Sequence, residues 1–163
     1  MYRLLLHFCD WLQNTPLALA VAGSTWAYPY VQMTHFTGLS MWIGTNFALD
    51  LRLLGVGAKR ETPAEISSGL FVWNWIGFAI AITGGFLLFS TAATSFITNP
   101  AFQIKLGVLI PIALVWHIVV QKKSRAWGAG ESVPLAAKLA ASVEMLLWLG
   151  VATAAVSIPL YEH

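Results

Sequence analysis

Charge is scarce in this sequence. Asp, Glu, Lys and Arg make up 10% of its 163 residues, against about 25% in ordinary soluble domains. Nine bases and seven acids leave a net charge of +2, too little, and too closely tied to the ends of apolar stretches, for a nucleic-acid surface. Cysteine is nearly absent: Cys9 stands alone, which excludes an internal disulfide and leaves the redox compartment unreadable. Its ordinary role is that of a small hydrophobe on a helix. No internal repeat or low-complexity tract interrupts the chain.

Apolar residues are what the chain has in excess. They make up 58% of it, and the mean hydropathy is +0.70, values that belong to an integral membrane protein. The N-terminus looks at first like a secretory leader, with Arg3 before an apolar run and Ala20-Val21-Ala22 as a cleavage site. His7, Asp10, Gln13 and Asn14 interrupt that run, so the segment is expected to be retained. Over residues 2–13, Leu4, Leu5, Phe8, Trp11 and Leu12 oppose Arg3, His7, Asp10 and Gln13 at helical spacing, the pattern of an amphipathic helix lying in the membrane interface. Thr15 before Pro16 caps a second short helix reaching about Gly23, too short to span.

Four spans follow, over about 27–55, 67–94, 100–121 and 134–158. The first opens on an aromatic belt of Trp26, Tyr28 and Tyr30. Thr62-Pro63 starts the second helix, in which Gly77, Gly84 and Gly85 permit close approach of a neighbour. Pro111 within the third frees the carbonyl of Gly107 and predicts a kink there. Arg52, Lys59 and Arg60 lie between spans one and two, and Lys122, Lys123, Arg125 and Lys138 between three and four, while the 2–3 link has no base. By the positive-inside rule the two basic loops face the cytoplasm and both termini face the periplasm of a bacterial inner membrane. The expected fold is all-α, an integral membrane four-helix bundle running up-down-up-down, preceded by interfacial helices over 2–23.

Polar residues inside the spans are few: Gln32, His35, Asn46, Asn74, Lys105, His117 and Glu144. Each ionisable one is a candidate functional residue, because a charge in hydrocarbon is costly. Gln32, His35, Leu39, Trp42 and Asn46 are spaced by three or four, forming one inward stripe. Two inward histidines on different spans point to haem b, with His35 and His117 as candidate ligands to its iron. Depth counting works against a single shared iron: His35 lies roughly 13 Å below the outer surface and His117 roughly 8 Å above the inner one, which leaves about 9 Å between them across a core of about 30 Å. Gln32, His35 and Lys105 therefore form an outer cluster, and His117 an inner one with Asn74 and Glu144, the latter as its hydrogen-bond partner or counter-ion. The alternative reading gives the histidines structural roles and lets Lys105 snorkel to the headgroups. His7 and His163 fall on the outer side, where a surface metal site with His35 is a further alternative.

Trp26, Pro29 and His35, then the run Asp50 to Gly55, then Asn99-Pro100, Phe102, Lys105 and His117 resemble the pattern of a bacterial family of small four-span membrane proteins without an assigned function. The likeness covers residues 15–121. It departs at Gln32, where that family carries an acid three residues before the histidine. More distantly the layout is similar to cytochrome b561-like and copper-resistance membrane proteins. That similarity implies haem b or copper chemistry, and an electron-transfer subunit between the quinone pool and a periplasmic partner. The rival expectations are a cofactor-free membrane subunit that anchors a larger complex, and metal-ion transport.

Overall fold

Proline behind a capping side chain sets three of the helix starts. The structure is a computed structural model and describes residues 2–56, 60–127 and 132–161; Lys59 and His163 lie outside the described residues. Helix α1 covers Tyr2–Gln13 and α2 covers Pro16–Gly23. Thr15 joins them, its Oγ1 accepting from the amide of Ala18 at 3.4 Å and donating to the carbonyl of Leu12 at 2.7 Å. Helix α3 runs Ala27–Leu53 and ends at Gly55, whose φ of 86° suits a residue without a side chain. Helix α4, Pro63–Thr91, opens on a reciprocal capping box: Thr62 Oγ1 accepts from the Glu65 amide at 3.2 Å, and the Glu65 carboxylate accepts from the Thr62 amide at 2.7 Å.

The short α5, Ala93–Thr98, leads to Asn99, whose Oδ1 accepts from the amides of Ala101 and Phe102 and starts α6, Pro100–Ile104. The same helix continues through a π-helical segment, Lys105–Leu109, into α7, Ile110–Trp127. The disturbance expected from Pro111 takes this form: the residue without an N–H sits just past a wider turn that redistributes the carbonyls before it. Helix α8, Leu135–Ser157, is followed by a 3₁₀ turn, Ile158–Tyr161. No strand occurs among the described residues.

Three of these helices are long and apolar enough to cross a membrane: Pro63–Thr91, Pro100–Trp127 and Leu135–Tyr161. At 27–29 residues each, and about 1.5 Å per residue, each exceeds a hydrocarbon core of about 30 Å. This is the signature of a multi-pass membrane protein. Helix α3 is as long, but Gln32, His35, Asn46, Asp50 and Arg52 dilute its apolar content.

Helix α3 lies along α4, α7 lies along α8, and the two pairs meet through α3 with α8 and α4 with α7. Glycine allows the first contact. A Cβ on Gly38 would stand 2.9 Å from the Cα of Ala81, and one on Gly84 would stand 2.9 Å from the Cα of His35, both closer than atoms approach. The ends of the bundle differ. At one end Cys9 and Leu12 of α1 pack on Ala93, Phe89 and Ile97, Gln13 accepts from the Thr94 amide at 3.1 Å, and Asn99 donates to the Ile158 carbonyl at 2.9 Å. The apolar residues Leu4, Leu5, Phe8 and Trp11 of α1 stay exposed, which leaves them free to meet lipid. At the other end Leu49, Leu53, Ile66, Val120, Ala137 and Ala141 close an aliphatic cluster that Trp127 and Val133 join. Arg52, Lys122, Lys123, Arg125 and Lys138 belong to segments entering that end, whereas Arg3 and Lys105 belong to segments at the end where α1 and the 158–161 turn lie.

Candidate functional site

Between these two ends the four long helices share a layer of buried polar side chains. Helix α3 contributes Trp42, Asn46 and Asp50, spaced by four, with relative exposures of 1%, 1% and 0%; this is the inward stripe continued by one more turn. Helix α4 contributes Asn74, α7 contributes His117 and Gln121, and α8 contributes Glu144 and Trp148, the last two pairs again four apart and all buried.

His117 is the centre of the layer. Its Nδ1 stands 2.5 Å from Glu144 Oε1 and its Nε2 stands 3.1 Å from Asn74 Oδ1. The amide of Asn74 can face only one way. Its Nδ2 meets three acceptors, Asn46 Oδ1, Thr45 Oγ1 at 2.7 Å and the Trp42 carbonyl at 3.4 Å, and the Thr45 hydroxyl spends its own proton on the carbonyls of Met41 and Trp42. Asn74 Oδ1 is then an acceptor toward both His117 Nε2 and Gln121 Nε2, the latter at 3.4 Å. His117 then donates from Nε2, while its Nδ1 stands within hydrogen-bond distance of Glu144 Oε1.

Aromatic rings wall this layer. Trp42 lies edge-on to His117 with centroids 4.8 Å apart, and it meets Trp148 at 5.7 Å and Trp75 at 5.4 Å. Trp75 Nε1 donates to Gln121 Oε1 at 3.2 Å, and the Gln121 carbonyl accepts from the hydroxyls of Ser67 and Ser124. Several buried atoms of the layer find no partner among the described residues: the acceptors Asp50 Oδ1, Asp50 Oδ2 and Glu144 Oε2, and the donors Asn46 Nδ2, Trp42 Nε1 and Trp148 Nε1. An unmade hydrogen bond in a dry interior costs about 1–3 kcal/mol, and more for a charged group. Each such group calls for an explanation, and their gathering in one layer makes it the candidate site.

His35 sits elsewhere. Its Nδ1 lies 2.7 Å from the carbonyl of Ala81, so Nδ1 carries the proton and Nε2 presents a lone pair. The ring rests in a notch made by Gly84 and Gly85; a Cβ on Gly85 would stand 2.9 Å from its Cε1. Gln32 and Lys105 are half-buried, and no hydrogen bond joins either to His35 among the described residues. The expected outer cluster is thus not hydrogen-bonded among the described residues, although Lys105 stands near enough to His35 to act on it electrostatically; the expected inner cluster of His117, Asn74 and Glu144 is one bonded unit.

A haem held by both histidines does not fit this arrangement. Trp42, which touches His117, is seven residues and about 10 Å along α3 from His35, and both nitrogens of His117 already have partners. His35 alone could hold such a group, its Nδ1 bonded to a backbone carbonyl and its Nε2 without a hydrogen-bond partner among the described residues. No group of three or more His, Cys, Asp or Glu side chains suited to a metal ion occurs among the described residues. Asp50, Gln121 and Ser67 are not among the candidates read from the sequence, where Asp50 figures only as the start of the run Asp50 to Gly55. The four-residue step from Trp42 through Asn46 to Asp50 is the signal that points to it. Comparison with protein-family models, with curated proteins and with solved structures finds no match.

Proposed function

We propose that this chain is a proton-handling subunit of the bacterial inner membrane, in which the Glu144–His117–Asn74 unit relays protons inside the bilayer. The observation that carries this reading is the conjunction of a buried histidine–carboxylate pair with a second buried carboxyl, Asp50, that has no partner. Ionisable side chains are retained within membrane spans chiefly for ion and proton pathways. In this reading α3 is a fourth span, completing an up-down-up-down bundle. Burial of its polar stripe against α4, α7 and α8 offsets its low hydropathy. The basic end is cytoplasmic, the termini and α1 are periplasmic, and the exposed apolar faces meet lipid and neighbouring membrane or periplasmic subunits. Vesicles containing the purified protein and an internal pH-sensitive dye test the relay. Dissipation of an imposed pH gradient should exceed that of protein-free vesicles and fall to their level with His117→Phe. Wild-type protein no faster than empty vesicles sinks the proposal.

A second reading is favoured by the fixed tautomer of His35. Through Nε2 it would ligate haem b in an electron-transfer subunit working between the quinone pool and a periplasmic partner. His117 would join it as a ligand only after Asn74 leaves Nε2 and the two helices shift in depth. The spectrum of the dithionite-reduced protein decides: a b-type band lost with His35→Ala and kept with His117→Phe supports the reading, and no such band in the wild type removes it.

A further inference from the structure

In the His117–Glu144 pair imidazole and carboxyl are matched to each other. Asp50 has no such partner. It is fully buried, both carboxyl oxygens lack partners among the described residues, and an ionised carboxylate in hydrocarbon is far more costly than a neutral acid. Among the described residues, the buried polar side chains in this half of the neighbouring helices are Ser67 and Asn74 on α4, His117, Gln121 and Ser124 on α7, and Glu144 on α8; of these His117 and Glu144 are ionisable, and they are matched to each other. Arg52, two residues along α3, turns its Nε to the carbonyl of Glu61 at 2.6 Å and so is committed to the loop rather than to Asp50.

The two sides differ. Toward the basic end, Leu53 lies three residues and about 4.5 Å along the axis from Asp50, as part of the aliphatic cluster with Leu49, Ile66, Val120, Ala137 and Ala141. Toward the opposite end stand Asn46 and then the Trp42–Trp148 layer, eight residues and about 12 Å away. We infer that Asp50 is the exchangeable proton site of the buried layer, filled and emptied from the basic end past the Leu53 plug. Resting on the proton-handling reading, this names the group that changes charge. The step is a simple protonation: water at the basic end delivers a proton to the Asp50 carboxylate, giving the carboxylic acid, and the reverse releases it.

Infrared spectroscopy of the full chain in lipid nanodiscs tests the site without any flux measurement. At neutral pH the wild type should show the carbonyl stretch of a protonated carboxyl, shifting in D₂O. The band should be lost in Asp50→Asn and kept in Asp10→Asn, an exposed control. Leu53→Ser should speed the D₂O shift several-fold, and Trp148→Ala should not. If Asp50→Asn does not fold, wild type labelled with ¹³C-carboxyl aspartate should move the same band, and an unmoved band overturns the assignment. Absence of the band in the wild type overturns it too, as does a sodium-dependent rise in melting temperature that Asp50→Asn abolishes, which would make the ligand a metal cation. A band present without proton flux would keep Asp50 and remove the relay, whereas flux without the band would remove Asp50 alone.

Discussion

His117 Nδ1 lies 2.5 Å from Glu144 Oε1 across the contact between α7 and α8, with at most 1% of either residue exposed. Breaking a buried pair from one side leaves the other partner stranded, at about 3–5 kcal/mol. Glu144→Ala and His117→Ala should each lower stability by that order, read as a fall in melting temperature in detergent. The double variant Glu144→Leu with His117→Leu should lose less than the two single effects added together, because neither polar group is then left behind.

Glycine substitutions along α3 should separate by position. A Cβ at Gly38 meets the backbone of Ala81, and one at Gly44 meets nothing within 4 Å. Gly38→Ala should therefore destabilise by about 1–3 kcal/mol through overpacking. Gly44→Ala should be neutral or stabilising by up to about 1 kcal/mol, since alanine restricts the unfolded chain. Chemical denaturation of the two variants side by side checks the contrast; equal effects would mean that α3 and α4 do not approach as described.

Asn99 both caps α6 and holds the C-terminal turn through the Ile158 carbonyl. Asn99→Ala should cost about 1–2 kcal/mol in cap energy. The amides of the 158–161 turn should also exchange with deuterium faster, whereas a substitution at the Thr62 cap should leave that turn untouched.

Burial pushes the Cys9 thiol above its ordinary pKa. The folded chain should thus react with maleimide more slowly than the unfolded chain at the same pH, measured by mass spectrometry. The stabilising contribution of the neutral thiol is full below the unfolded-state value and is lost as pH climbs past it, so Cys9→Ala should flatten the alkaline end of the stability profile.

A phosphatase reporter that is active only in the periplasm, fused after the last residue, should be active. The same reporter inserted after Arg125 should be inactive, since Lys122, Lys123 and Arg125 mark the cytoplasmic side. The reverse pattern would invert the proposed orientation.

Local signals in the sequence were easy to read where the chemistry is local. Thr15-Pro16, Thr62-Pro63 and Asn99-Pro100 mark helix starts because cap and proline act within three residues of each other. The inward face of α3 was legible from the spacing of Gln32, His35, Trp42 and Asn46, and its next step gives Asp50. The partner of His35 was not legible, since it is the backbone carbonyl of Ala81, and any residue at that position offers one. Nor was the orientation of the Asn74 amide, which depends on acceptors brought in from α3 by tertiary contact. Nor was the π segment Lys105–Leu109, which changes the phase between Lys105 and His117 from that of an ideal helix.

The glycine seam between α3 and α4 bears on how the protein reaches its membrane. A segment carrying His35, Asn46 and Asp50 is a poor candidate to leave the translocon alone, as each polar side chain near mid-membrane opposes partitioning into lipid. Docked on Gly77 and Gly84 of α4, it presents those groups to protein instead. In a four-span arrangement, then, α3 would wait in the translocon until α4 is synthesised, and the two would enter the bilayer as a hairpin. Bulky replacements at Gly38 or Gly84 would then appear first as failed biogenesis, with α3 stranded outside the bilayer.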